Sequence, residues 1–273
     1  MKVGVVMAFE RMPGFHKLVS FWRIEYRAVA KEPIATNALD DSTKQLAARI
    51  VGKGIKKLEP DIAPIIYEGK AGFSGNAVKG VFRHLISAQL TAAGLPVCVQ
   101  KVKAPEGELK GRREQCPPDN PCFVCTWFGT PSRQGALHFD FLLSVKPYEE
   151  VISKDPLPMI ALDDETLGVA KGAFAVVISI KPGTEFQGMI RGENLSSEII
   201  GAIAEVVEMS KEGFFKLGGL KTRGFGAMEL EITSIKEYSA TPFKLKKQYE
   251  GKELKKFLGE CKATYHWLLG GGR

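Results

Sequence analysis

Three of the five cysteines, Cys116, Cys122 and Cys125, are spaced C-x5-C-x2-C. The last pair offers two thiolates at the spacing of a metal knuckle. A structural Zn2+ takes four tetrahedral ligands, so a fourth donor must come from elsewhere in the chain. Cys98 is the first choice, His84 and His138 stand behind it, and Cys261 and His266 lie further off in sequence. A site closed by cysteines keeps no open position, so the zinc would brace an insertion rather than catalyse. Three free or buried thiols are the competing reading.

The other concentrated chemistry is a late loop, Gly218-Gly219-Leu220-Lys221-Thr222-Arg223-Gly224-Phe225-Gly226. Glycine lets the backbone approach a phosphate closely, while exposed N–H groups, Lys221 and Arg223 supply donors and positive charge. A helix C-cap and a turn would account for Gly218 and Gly219, but not for Gly224 and Gly226 on either side of Phe225. The loop therefore reads as an anion cradle facing RNA backbone. Lys79 and Arg83 form a second basic pair, four residues apart on one helix face. They lie close to a helix N-terminus whose unpaired N–H groups and positive dipole end suit a phosphate. An ordinary capped helix with two solvated basic residues is the alternative there.

Conventional active sites have no residues to stand on, since the chain lacks a Ser-His-Asp order, a Walker loop, an H-E-x-x-H and a dinucleotide fingerprint. His16, His84, His138 and His266 form no cluster, and each reads as a packed or surface histidine. Thirty-eight Lys and Arg against thirty-one Asp and Glu leave a formal +7. That excess favours a polyanion such as nucleic acid or an anionic membrane surface, or it serves solubility. The first apolar run breaks at Glu10 and Arg11, too early for a signal-peptide core. No stretch reaches the roughly 18 uninterrupted apolar residues of a membrane span. The expected setting is cytoplasmic, without a membrane partner and with thiols kept reduced.

The elements that must position these residues can be read from periodicity. Phe21 to Lys31 is an early strand ended by Pro33, and the polar stretch that follows to Pro60 is a long connection with room for a short helix. Asn76 to Ala93 places Val78, Val81, Phe82, Leu85, Ile86 and Leu90 at helical spacing, with Ser74 and Asn76 as candidate caps and Gly94 as the stop. A charged, Gly- and Pro-rich stretch leads to the cysteines, and His138 to Val145 is strand-like. Ala173 to Ile180 and Phe186 to Arg191 read as strands, Ser196 to Lys211 as a helix, and Met228, Leu230 and Ile232 alternate with Glu229 and Glu231 as in a half-buried strand. The basic tail from Lys244 reads as a solvated face or a peripheral helix. The order gives an α+β class, a ferredoxin-like or RRM-like antiparallel sheet with helices on one face. It is read as a single elaborated domain over 1–273, with insertions at about 34–75, 95–135 and 146–172 that are long enough to be functional.

The late loop is of the Gly-Gly-x-Lys-x-Arg-Gly-Phe-Gly type, and through it the chain resembles the CRISPR-associated RAMP superfamily. Ser74 to Arg83 is similar to that family's Pro-Gly-Ser-Ser-Leu-Lys-Gly-Ala-Leu-Arg signature. Gly75, Lys79, Gly80 and Arg83 agree with it, and Ser74, Asn76 and Ala77 depart from it. The segment Ile160 to Phe174 looks like the family's Asp-Arg-x-Thr-x-x-Ala-x-x-Gly thumb, with Asp163 in place and Asp164 where Arg is often found. Cys122-x-x-Cys125 followed by Phe128-Gly129 is a further likeness. These features span about residues 21 to 236 in the family's order.

The resemblance implies a backbone subunit of a type III CRISPR effector complex. Such subunits polymerise along guide RNA, meet copies of themselves and other effector subunits, and lay a thumb hairpin beside the guide. An aspartate on an early loop cuts paired target RNA. Asp61-Ile62-Ala63-Pro64-Ile65-Ile66 is the nearest match to that stretch, off by one residue, with Asp40 and Asp41 as rivals on the same loop. Such a carboxylate could bind a divalent metal such as Mg2+ or activate a 2′-hydroxyl. All three are otherwise solvated loop acids. Alternative roles are a non-catalytic scaffold or capping subunit, and a stand-alone guide-processing ribonuclease in which His84 would act.

Overall fold

Along Ser20–Ala30 the residues Trp22, Ile24, Tyr26, Ala28 and Ala30 are buried and Arg23 and Arg27 exposed, the period-2 pattern of a strand with one face on a core. This strand, β1, runs through the middle of the main sheet in the computed structural model. The model describes residues 17–52, 60–98, 116, 120–130, 133–162 and 169–270, and for 161, 162 and 169–173 the backbone alone. The chain continues through α1 (Asp41–Val51), β2 (Ile66–Tyr67), β3 (Lys70–Phe73), α2 (Gly75–Ala92) and α3 (Phe123–Phe128). Next come β4 (Leu137–Phe139), β5 (Leu142–Ser144), α4 (Tyr148–Val151), β6 (Leu157–Leu162) and β7 (Val169–Val177). It ends with β8 (Glu185–Glu193), α5 (Ser197–Lys211), β9 (Met228–Ser239), β10 (Lys244–Tyr249) and α6 (Gly251–Leu269).

The sheet order is β10-β9-β1-β8-β5-β3-β2, with β4 also on β8, and the paired neighbours are antiparallel. Within it, β1, the β4–β5 pair, β8 and β9 alternate with α2 and α5 as the expected ferredoxin-like core requires. The buried sides of α2, α5 and α6 meet the apolar face of this sheet. Phe82 of α2 packs on Phe139 and Phe215, and Phe257 of α6 lies parallel to Trp22. Ser74 is the cap of α2, its Oγ accepting from the Ala77 N–H at 3.4 Å, and Gly94 at φ 75° follows the helix end. No described helix is long and apolar enough to cross a membrane.

Three elements differ from the sequence reading. His138 to Val145 is broken into β4 and β5 at Asp140 and Phe141, where the Asp140 N–H donates to the Met189 carbonyl at 3.0 Å. Ala173 to Ile180 leaves the main sheet: its first half closes the β6–β7 hairpin, and Ile180 bridges to Ile34. An apolar run looks the same in either setting, because composition reports burial and not partner. The basic tail is structured. Phe257 stacks on Tyr249 at 4.0 Å between ring centres, and Leu254, Cys261, Tyr265 and Leu268 form a buried stripe at helical spacing.

Helices α5 and α6 approach closely, and a Cβ added at Gly201 would lie 2.2 Å from the Cys261 carbonyl oxygen. Gly201→Ala is therefore expected to cost about 1–3 kcal/mol by overpacking. Gly259→Ala, on α6 with open space around it, should be neutral or stabilise by up to about 1 kcal/mol. Urea unfolding midpoints of the two variants check the pair.

Candidate nucleic-acid interface and metal centre

The glycine-rich loop is the end of a narrow stem. Leu217 N–H donates to Gly226 O at 2.8 Å and Met228 N–H to Phe215 O at 3.0 Å, and one 3-10 turn, Lys221–Arg223, forms the tip. The stem is laid against the segment after β1: Gly219 N–H donates to Ala35 O at 2.8 Å, and Gly226 N–H to Pro33 O at 2.9 Å. Gly218 and Gly226 have φ of 91° and 93°, and a Cβ there would stand 2.3 Å from Ala35 O and 2.5 Å from Leu217 O. Both conformation and space therefore demand glycine. Glu32 clamps the stem, accepting from Lys216 Nζ at 3.1 Å and from Ala227 N–H at 3.0 Å. Sequence reading missed this pair, because 184 residues separate its members.

Phe225 does not belong to the exposed part of the loop. It is 3% exposed and forms a small apolar cluster with Ala35 and Val177, against which Ile62, Leu157, Met159 and Leu220 pack. An aromatic between two glycines is here the pin that holds the loop, while Lys221, Thr222 and Arg223, with Gly219 and Gly224, remain exposed around the tip. The same cluster receives the base of the β6–β7 hairpin and the segment carrying Asp61. Asp163 and Asp164, which follow β6 in sequence, lie outside the described residues.

Asp61 is exposed and lies against β7. Its Oδ2 accepts from Val176 N–H at 2.7 Å and its own N–H donates to Val176 O at 3.0 Å. The rivals take other roles. Asp40 caps α1, with Oδ1 accepting from Ser42 Oγ and Thr43 N–H at 2.7 Å each. Ser42 first, then Thr43, hold its carboxyl down at about 2. A carboxyl lowered on folding adds stability above its unfolded pKa and loses it as pH falls through the folded one, so this cap is complete at neutral pH. Asp41 is the exposed first residue of α1.

On α2, Arg83 is half-buried and its Nη1 donates to Gly129 O at 3.1 Å, tying the helix to the cysteine-bearing insertion. Lys79 sits one turn earlier, partly exposed. Gly75 at the helix start serves packing, since a Cβ there would lie 1.9 Å from Phe139 O.

The structure brings four cysteines together. Cys98 follows α2, Cys122 is the N-cap of α3 and Cys125 lies within it, and with Cys116 their sulfurs all stand within 4.8 Å of one another. Cys98 Sγ is 2.8 Å from Cys116 Sγ and 3.5 Å from Cys125 Sγ, and the Cys122 N–H donates to Cys116 Sγ at 3.3 Å. Sulfurs around a tetrahedral zinc with bonds of about 2.3 Å stand about 3.8 Å apart; the Cys98–Cys116 pair is closer than that, but four thiols gathered within 4.8 Å are the donor set of a structural Zn2+. Burial raises the Cys98 thiol and brings Cys125 up to about 11, while Cys122 is lowered, against its burial, by backbone hydrogen bonds. His84 is exposed on α2, His138 lies 3.8 Å from Glu193, and His266 pairs with Glu205 at 2.9 Å. Cys261 is packed against α5. Among the described residues none of these joins the sulfur cluster.

A family model described as RAMPs, the RAMP superfamily, matches residues 68–229, more than half of the chain. The matched stretch contains α2, the four cysteines, the β6–β7 hairpin and the glycine-rich loop; Asp40, Asp41, Asp61, β10 and α6 fall outside it. No curated protein matches the chain.

Elemental analysis of the purified chain is expected to find about one zinc, the capacity of a single four-sulfur site. Serine at Cys98, Cys116, Cys122 or Cys125 should remove it, and Cys261→Ser should keep it. Because the ligands bind as thiolates, the metal should leave as pH falls. Phe225→Ala should cost about 3–5 kcal/mol, with amide exchange rising in the glycine-rich loop and the β6–β7 hairpin together.

Proposed function

The chain belongs to the RAMP superfamily of CRISPR-associated RNA-binding proteins, and from that premise we propose that it is the guide-RNA-binding backbone subunit of a type III effector complex. In this role it polymerises along the guide, beside copies of itself and other effector subunits, in the cytoplasm. The observation that carries the reading is the Phe225 cluster. One apolar knot holds the exposed Lys221–Arg223 turn, the β6–β7 hairpin and the Asp61 segment in fixed relation. A basic turn with two phosphate donors supplies grip without sequence preference, as a scaffold that must accept any guide requires.

In the same reading Asp61 acts on target RNA laid over that surface. Its carboxylate takes the proton of a 2′-hydroxyl, the 2′-oxygen attacks the adjacent phosphorus, and the bond to the 5′-oxygen breaks as that oxygen takes a proton from water, giving a 2′,3′-cyclic phosphate and a 5′-hydroxyl. Among the described residues Asp61 belongs to no cluster of metal donors, so a Mg2+ there would take most of its ligands from RNA phosphates and water. Such an ion would supply stabilisation of the charge that develops on phosphate. A second reading, a non-catalytic scaffold, is favoured by the bond from Val176 N–H to Asp61 Oδ2, which would by itself account for an aspartate at this position.

Asp61→Asn retains an acceptor for Val176 and removes the base, which separates the two. In the assembled complex it should lower target cleavage by at least about a hundredfold with guide affinity unchanged; unchanged cleavage moves the base to Asp40, Asp41 or another subunit, and no cleavage by the unaltered complex assigns the scaffold role. Lys221→Glu with Arg223→Glu should weaken RNA binding and flatten the log-affinity against log-salt line by about 0.7 per lost phosphate contact.

A further inference from the structure

The open face of the main sheet carries two different surfaces. Over its centre the cations are matched by acids: Arg23 with Glu25, Arg27 with Glu231, Lys31 with Glu229 and Arg191 with Asp140. A face neutralised in this way gives a polyanion little to hold. The edge at β9 and β10 is built otherwise. The register sets Phe21, Tyr238 and Leu245 side by side across β1, β9 and β10. Phe243, in the turn between β9 and β10, folds back over this row, stacked on Tyr238 at 5.1 Å and 5° and edge-on to Phe21 at 6.1 Å. Ser239 Oγ fixes the turn by donating to Pro242 O at 2.6 Å. The ledge stays open, with Phe243 68% and Leu245 45% exposed.

Lysine stands beside these rings. Lys236, between Arg23 and Gln248 in the next cross-strand row, shares their face, while Lys244 and Lys247 are exposed on the edge strand, in register with Ser239 and Glu237 and so on its other side. None of the three lysines makes an ion pair with a described residue; Lys246 alone is answered, by Glu237 at 3.4 Å. Lysine on an edge strand also discourages strand-to-strand aggregation, but that purpose needs no exposed aromatic stack beside it. Protein interfaces deplete lysine and enrich aromatics, so rings bordered by Lys236 on their own face and by lysines along the edge point away from a protein partner. Single-stranded nucleic acid wants both, a π-face for a base and cations for the phosphates on either side.

We propose that the Phe21–Tyr238–Phe243 ledge, with Lys236, Lys244 and Lys247, is a second RNA contact. It takes single-stranded RNA by stacking a base on the outer face of Phe243, pairing one adjoining phosphate with Lys236 and, where the strand passes over the sheet edge, others with Lys244 and Lys247. This rests on the RNA-binding reading above, but on residues beyond the stretch that matches the family model.

The test uses the full chain and a fluorescein-labelled single-stranded oligouridylate of about 12 nucleotides, within the reach of one stacking groove, read by fluorescence anisotropy. Phe243→Ala should raise Kd about five- to fiftyfold, the loss of one stacked base, and Phe243→Trp should restore it. Lys244→Glu with Lys247→Glu should flatten the salt slope by about 1.4, two single-strand phosphates. A Phe243→Ala Kd equal to that of the unaltered chain, or duplex RNA bound as tightly as single strands, overturns the inference. So does a Phe243→Ala change in self-association or partner-protein binding with RNA affinity unaltered, which makes the ledge a protein surface. The Lys221→Glu, Arg223→Glu variant separates the two RNA readings. If it loses binding while Phe243→Ala does not, the ledge fails and the glycine-rich loop stands; the opposite pattern retains the ledge and removes the loop.

Discussion

Three excursions from the sheet depend on one small apolar contact away from the main core. Phe225, Ala35 and Val177, with Ile62, Leu157, Met159 and Leu220 around them, are the point where the glycine-rich loop, the β6–β7 hairpin and the Asp61 segment touch. Burying a phenylalanine side chain is worth about 1.5–3 kcal/mol, while ordering the backbone of each residue costs about 1–2 kcal/mol. The knot alone therefore cannot hold three long segments. Backbone hydrogen bonds complete it: Gly219 to Ala35, Gly226 to Pro33, and Asp61 and Ile62 to Val176. These need two main chains closer than a side chain allows, and this requirement explains Gly218 and Gly226 without any reference to a ligand. In the proposed role, the part of the loop left to face phosphate is its exposed tip, Lys221–Arg223.

That division explains how much of the site could be read from sequence. Lys221 and Arg223 are at the surface, as a basic loop suggests, and the four cysteines meet as their chemistry invites. Phe225 could not be told apart from an exposed stacking ring, because a flanking glycine signals conformational freedom and says nothing about burial. Arg83 looked like a phosphate ligand because spacing reveals a helix face but not what docks on it; Gly129 docks there, 46 residues away. Asp40, read as a rival catalytic acid or a solvated loop acid, is instead the α1 cap, a role that Asp at the head of a helix commonly takes but that is invisible until the helix start is placed.

The fold shows the same limit. The long elements β1, α2, α5 and β9 carry a clean period, and their order suffices for the ferredoxin-like core. The failures occur where pairing is non-local. Val176 and Val177 would suit a central strand equally well, and what places them in a hairpin is the partner strand Leu157–Leu162, across a turn whose length the pattern does not reveal. In the tail the density of lysine masked the stripe of Leu254, Cys261, Tyr265 and Leu268, although helices commonly carry solvated lysines opposite a buried face.

Charge is distributed with the same economy. A formal +7 is modest, but the ion pairs across β1, β8 and β9 cancel much of the charge on the sheet face, while Lys221, Arg223, Lys244 and Lys247 are exposed and make no ion pair with a described residue. The cysteine centre sits apart from both. It joins the end of α2 to α3, while Arg83 ties α2 to Gly129 at the other end of α3 and Trp127 of α3 meets Tyr265 of α6 at 6.4 Å. A metal held by those sulfurs thus acts through packing on the helical layer behind the sheet. Loss of the metal would loosen the support of α2 and α6 first, and would reach the exposed basic surfaces only through those helices.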